Sequence, residues 1–302
     1  APDAGHLVHM HAHIYYRIGR YKDSADVNEA AAAADVAYFS WCRAPAAYAA
    51  LYYTHNLHFL WASAMIEGRS DAALTAARRI VAQVPTDQLA AFPFLEDFLV
   101  TPLYTLARFG RWDAILGEPQ PPASQRFTTA IWHYARGLAY AHQGKHAEAE
   151  AEAQALGRLA ADPALAATGY DTSGGTAGQR LEVARHHLAG EMTAARGSSE
   201  AAIAAFEAAV AVQDALPYSE PPPFYFPVRQ ALGAELLKSG RAKQAELVYL
   251  EDLRRHPKNG WSLFGLSKSL AAQGKSGQAK GVADGFRHAW ARADVEVRAS
   301  RF

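Results

Sequence analysis

The chain has 302 residues, 50% of them hydrophobic and 20% charged, with 30 Lys and Arg balancing 30 Asp and Glu. That apolar fraction excludes disorder as the main state, and zero net charge leaves none of the clustered basic footprint that nucleic acids or anionic membrane surfaces require. The single cysteine, Cys42, excludes an intrachain disulfide framework and a Cys-rich zinc knuckle, and reads as a small buried apolar residue. Length alone suggests about two domains. No apolar run approaches the roughly 18 residues of a spanning helix, and the segment Ala1 to His6 has no basic stretch followed by an apolar one. The expectation is a soluble protein of the cytoplasm or periplasm, without membrane insertion and without nucleic-acid partners.

Alanine, the strongest helix former, is abundant throughout, and no segment alternates apolar and polar residues as a strand would. An all-α chain is predicted. Seven tracts place a glycine, usually a basic residue next, and a small or apolar residue five positions on: Gly19 to Ser24, Gly68 to Ala73, Gly110 to Ile115, Gly144 to Ala149, Gly197 to Ala202, Gly240 to Ala245 and Gly274 to Ala279. Each predicts a helix, a left-handed glycine turn and a second helix crossing closely over the first. Gly110 and Gly144 are 34 residues apart, as are Gly240 and Gly274. Units are expected near 5–37, 54–90, 96–122, 130–162, 183–216, 226–259 and 260–293, with inserts at 38–53, 162–179 and 216–227. The first insert is aromatic. The second carries Gly174 and Gly175 and reads as an exposed loop. The third, Leu216 to Pro227, is too rich in proline to be helical; it can fold inward as a rigid flap presenting Tyr218, Glu220, Phe224 and Tyr225, or pack on the convex surface. The helices after Gly277, with Phe286, Trp290 and Phe302, are expected to cap the C-terminal end, whereas the first helix has no capping element with a polar outer face.

These tracts resemble the tetratricopeptide repeat family, whose 34-residue unit is a helix, a tight turn and a second helix. Gly137, Gly190 and Gly233 match its eighth position, Tyr15 and Tyr140 its eleventh, and Pro257 follows the helix of the sixth unit. The resemblance implies one right-handed superhelical solenoid of about seven units spanning 1–302. The strings Gly5 to Tyr15, Glu220 to Arg229 and Glu251 to Leu266 also look like a bacterial subgroup of the family. Its members often have Pro-Ser where this chain has His11 and Ala12, and further His-bearing repeats upstream, so the native N-terminus is expected to lie beyond Ala1. The resemblance carries no activity with it.

In that family, positions 2, 5, 9, 12 and 13 of each first helix line the concave groove. In the first unit these are His6, His9, His13, Tyr16 and Arg17; in the second, His55, His58, Ala62, Met65 and Ile66. Thirteen histidines in 302 residues predict about 0.4 among ten positions, yet five are found. Equal positions on neighbouring helices should face each other, His6 with His55 and His9 with His58, and Asp97 falls on the rung of His6 and His55. Two readings stand: transition-metal binding of Zn, Cu, Ni or Fe(II) drawn from His6, His9, His13, His55, His58 and Asp97, as one site using a subset of them or as two sites because His6 and His13 lie about 10 Å apart along the helix, or a polar groove whose histidines hydrogen-bond a ligand or partner peptide. His11 is expected to be an interior histidine.

Further along the groove come Tyr104 and Arg108, Tyr134 and His142, His187 and Glu191, and Gln230 and Lys238. His187 and Glu191 are either a simple i, i+4 pair or a second polar centre. Arg17 and Arg108 suit either a ligand carboxylate or an internal salt bridge. No phosphate-cradling glycine loop or dinucleotide fingerprint is present, so no nucleotide cofactor is expected. The leading expectation is a binding module whose groove takes a metal or polar ligand and a peptide or protein partner. The alternatives are a metal-dependent enzyme using the same histidines and a metal-free scaffold.

Overall fold

All seven repeat glycines adopt the left-handed backbone, with φ between 63° and 80°, and no other described glycine has positive φ. At every one of them the following residue donates its N–H to the carbonyl five positions back, from Arg20 to Tyr15 at 2.8 Å to Lys275 to Leu270 at 3.0 Å. This bond closes the end of the first helix by satisfying a carbonyl that has no partner within the helix. The residues five positions beyond the glycines, from Ser24 to Ala279, are all buried, which is where the two helices of each unit cross. Close crossing also explains the glycines inside helices: a Cβ on Gly190 would stand 2.4 Å from the Phe206 ring, and one on Gly233 2.5 Å from Tyr249.

The computed structural model describes residues 4–41, 48–169 and 175–302; Cys42 and Gly174, together with parts of the first two inserts, lie outside them. Among the described residues the chain is all-helical, apart from one isolated bridge between Gly169 and Thr176. Seven helix pairs follow one another. The first is Gly5–His9 and His11–Arg17 against Tyr21–Trp41; then come Thr54–Glu67 with Ser70–Val81, and Thr101–Arg108 with Trp112–Gly117. Arg126–His142 with His146–Ala160, Ala177–Ala195 with Ser199–Asp214, Arg229–Lys238 with Ala242–Arg255, and Gly260–Ala272 with Ser276–Ala289 complete the row. Trp112–Gly117 is short because Pro119, Pro121 and Pro122 follow it and cannot extend a helix. Buried apolar residues from Ala12 to Ala279 form one continuous cluster.

The second insert tucks inward at its end: Gly175 is buried, and Thr176 and Gln179 form a reciprocal capping box at the start of Ala177–Ala195. Proline tract 216–227 turns inward, with Phe224 and Phe226 buried. The C-terminal end does more than cap the last unit, because it returns to the first three. Trp261 is fully buried and donates its indole N–H to the Met65 carbonyl at 3.1 Å. Asp294 accepts from the backbone N–H groups of Ser70 at 2.6 Å and Asp71 at 3.0 Å, so the tail caps the helix Ser70–Val81. Arg292 reaches Asp26 at 2.5 Å, and Trp290 and Phe302 lie where side chains on Gly68 and Gly110 would stand. The row of helix pairs therefore closes on itself. Of the two placements open to the proline tract, the inward one is found, and side chains of the tract and the tail enter the space between the first helices.

Candidate metal centre

His9 and His13 project from the first helix, which continues almost unbroken through Met10 at φ −52° and ψ −28°. His55 faces them from the second unit. One ring nitrogen from each of the three lies within 4.8 Å of the others, and the ring centroid of His55 stands 4.7 Å from that of His9 and 5.7 Å from that of His13.

The protonation pattern follows from the partners. Asn28 donates its side-chain amide to the Ser24 carbonyl at 2.6 Å, which turns its oxygen towards His9 Nδ1 at 2.7 Å. His9 must therefore donate from Nδ1, leaving a lone pair on Nε2. His13 Nδ1 meets a carboxylate oxygen of Glu220 at 2.5 Å, so it too donates from Nδ1. His9 Nε2 and His13 Nε2 then face each other at 3.0 Å, a gap that a proton or a metal ion can bridge. Two nitrogens bound to one ion at about 2.05 Å stand about 2.9 Å apart at a right angle and about 3.3 Å apart at the tetrahedral angle. The observed gap lies in that interval, and an amide and a carboxylate holding the far side of each imidazole is the usual outer shell of a metal-bound histidine.

Burial keeps His9 and His55 neutral. It pushes the pKa of His9 down to about 4, reinforced by His13 and His6 and opposed by Asn28 and Glu220; it pushes that of His55 down to about 2, reinforced by His9, His58 and His13. Both offer lone pairs at neutral pH. Burial disfavours the Glu220 carboxylate, but hydrogen bonds from His13 and Tyr218 outweigh it and hold its pKa below the usual range. Replacing Asn28 with leucine should weaken zinc binding by about 10- to 100-fold by releasing the His9 ring, as measured by competition with a chromophoric chelator; unchanged affinity would show that Asn28 does not orient a ligand.

The remaining sequence-expected ligands are placed elsewhere. His6 stacks on His9 at 5.4 Å and touches Tyr52 at 4.6 Å, and its buried Nδ1 has no partner among the described residues. His58 stacks on Trp61 at 5.1 Å and meets Phe98 at 5.4 Å. His9 thus faces His55 rather than His58, one helical turn away from the expected register, while His6 keeps its expected neighbour His55 at 6.3 Å between ring centroids. Asp97 is not on the histidine rung; it is bound by the buried Arg180. His11 is exposed, its Nδ1 3.3 Å from the Val8 carbonyl, and Ala12 occupies the interior position instead.

The other groove residues form a second, buried polar network. Tyr225 stacks on Tyr104 at 4.4 Å and shares the Tyr134 hydroxyl, at 2.8 Å, with His187 Nδ1, also at 2.8 Å. His187 and Glu191 are more than a helix-face pair: Glu191 also meets His142 at 3.4 Å and Arg301 at 2.6 Å, and Arg301 extends to the buried Glu235 at 2.6 Å. Arg108 is buried and hydrogen-bonded to Gln230, with its guanidinium 3.5 Å from the Trp261 ring centroid. Tyr16 is buried, while Arg17 is half-exposed over Tyr218 and 3.8 Å from Glu220. Sequence reasoning missed Asn28, Asp294 and Arg301; Ser24 and Asn28, four apart among alanines on one helix face, were the legible sign of a buried polar contact. No protein-family model matches the chain, and no curated protein matches it. No helix among the described residues is long and apolar enough to cross a membrane.

Proposed function

We propose that this chain is a helical-repeat module of tetratricopeptide type that binds one transition-metal ion through His9, His13 and His55. The observation that carries the reading is the approach of His9 Nε2 and His13 Nε2 to 3.0 Å, with the Nδ1 of each ring held from behind by Asn28 or Glu220. With both rings neutral the two lone pairs repel, and a metal ion between them removes the repulsion. Three imidazoles suit Zn, Cu(II), Ni or Fe(II) better than the hard, oxygen-seeking Mg or Ca. The repeat assignment is supported by the seven left-handed glycines and their recurring i to i−5 bond.

Closing the 4.8 Å spread of the three nitrogens to ligand spacing asks for a shift of about 1.5 Å. His55 has that freedom, since it has no side-chain hydrogen bond among the described residues and is only partly buried. A second reading, metal-assisted catalysis, is favoured by one observation. The site offers three protein ligands, the number found in catalytic zinc centres with an open position, and the His13 side chain keeps 30% exposure. The partner is narrowed as well, because side chains of the inward proline tract and the returning tail occupy part of the groove that an extended peptide would need.

The test is metal analysis of chelator-stripped protein dialysed separately against Zn(II), Cu(II), Ni(II) and, without oxygen, Fe(II). One equivalent bound, with a rise in Tm that grows with free metal as mass action requires, is the expected result. No stoichiometric metal and no change in Tm would overturn the proposal.

A further inference from the structure

A cavity of about 310 Å³ lies beside the histidine cluster and shares Glu220 with it. One wall comes from the first two units, with Tyr16, Trp61 and Met65, and the opposite wall from the proline tract, with Phe224. Its volume is at the lower end of the range for small-molecule sites, and its make-up, apolar and aromatic walls around a few polar groups, is theirs as well.

Charge separates this cavity from an ordinary packing gap. Five arginines line it against two carboxylates, Asp214 and Glu220, in a chain whose net charge is zero. Four of the five are already answered: Arg17 by Glu220, Arg229 by Asp214, Arg254 by Glu251, and Arg255 by both Asp214 and Glu251. Arg108 is different. It is only 5% exposed, yet among the described residues it has no carboxylate within ion-pair distance. Its one side-chain hydrogen bond goes to the neutral Gln230 oxygen, whose amide in turn donates to the buried Asp252 at 3.2 Å, so the negative charge acting on Arg108 is held one residue away. Trp261 and Phe226 cover it, at 3.5 and 4.9 Å from their ring centroids. Burial lowers its pKa to about 9, which leaves it charged at neutral pH. A buried cation without a counter-ion is costly unless something supplies one.

We infer that the cavity is a binding site for a small organic acid, with a single carboxylate on the Arg108 guanidinium and an apolar body against Trp61, Met65 and Phe224. A fork-shaped guanidinium matches a carboxylate in shape and charge. One unanswered cation suits a monoanion rather than a phosphate dianion, and the aromatic walls favour a ligand with a ring or a short alkyl chain. Tyr21, whose buried hydroxyl has no partner among the described residues, stands in the same wall as an unused donor. This site does not depend on metal at His9, His13 and His55.

The test uses the full chain, chelator-treated and again with Zn(II), and three probes followed by isothermal titration: 3-phenylpropionate, its neutral isostere 3-phenylpropionamide, and inorganic phosphate. Binding of the acid with or without zinc is expected, with the amide and phosphate each at least tenfold weaker, and with Arg108→Lys weakening the acid at least tenfold. The comparison of acid with amide on the unaltered protein needs no variant and decides the matter if Arg108→Lys does not fold. No binding of the acid at millimolar concentration, equal binding of acid and amide, or phosphate binding as tightly as the acid would each overturn the inference.

Discussion

Replacing Trp261 with alanine is expected to destabilise the protein by roughly 3–5 kcal/mol, the cost of removing a large buried aromatic ring. Trp261 comes from the last helix pair but is buried where that pair meets the second, donating to the Met65 carbonyl, and both Trp290 and Phe302 pack on it edge-on, at 5.0 and 5.8 Å. The substitution opens a cavity at the closure, removes the partner of a buried carbonyl and strips Arg108 of its covering ring. Urea denaturation followed by circular dichroism measures the change. Trp41, 87% exposed, is the internal control, since its replacement by alanine should stay within about 0.5 kcal/mol. A loss below about 1 kcal/mol for Trp261→Ala would show that closure contributes little to stability.

His55→Ala and His58→Ala should part company in metal binding. Both positions belong to the histidine cluster that the repeat pattern outlines, and on sequence grounds each is an equal candidate. In the structure His55 stands 4.7 Å from His9, ring to ring, while His58 stacks on Trp61. Loss of one of three ligands should lower zinc affinity at least 100-fold, whereas His58→Ala should leave it within about threefold and show its effect in stability instead. A chelator competition assay on the two variants, each checked for native circular dichroism, separates these outcomes. Equal losses in both would mean that the expected register, with His58 on the rung of His9, is the functional one.

The parts of this molecule that were readable from its residues are those set by local chemistry. A glycine that must take positive φ, and a small or apolar residue five positions later at a helix crossing, are determined within one unit, and all seven recur as expected. The face carrying His9, His13 and His55 was legible for the same reason, because helical periodicity alone puts His9 and His13 together. What pairs with what across units was not. The register between the first two units passes through an insert of 16 residues, 38–53, which breaks the repeat spacing, so the approach of His55 to His9 could not be read from equal positions. Closure of the row was equally hidden. Trp290 and Phe302 have the composition of any terminal cap, and only their seats against Gly68 and Gly110, over 190 residues away in sequence, give them their role. The inward turn of the proline tract lay between these extremes: its stiffness was readable, its direction was settled by the burial of Phe224 and Phe226.

The capping of Ser70 and Asp71 by Asp294 has a consequence for how the chain is made. An open row of repeats can order itself unit by unit as it leaves the ribosome, each unit stacking on the one before. Here the helix Ser70–Val81 receives its cap, and the seat at Gly110 its covering ring, from residues translated more than 190 positions later. The early units therefore wait with part of their core uncovered until residues 290–302 have emerged, so stacking of one unit on the one before does not by itself complete them.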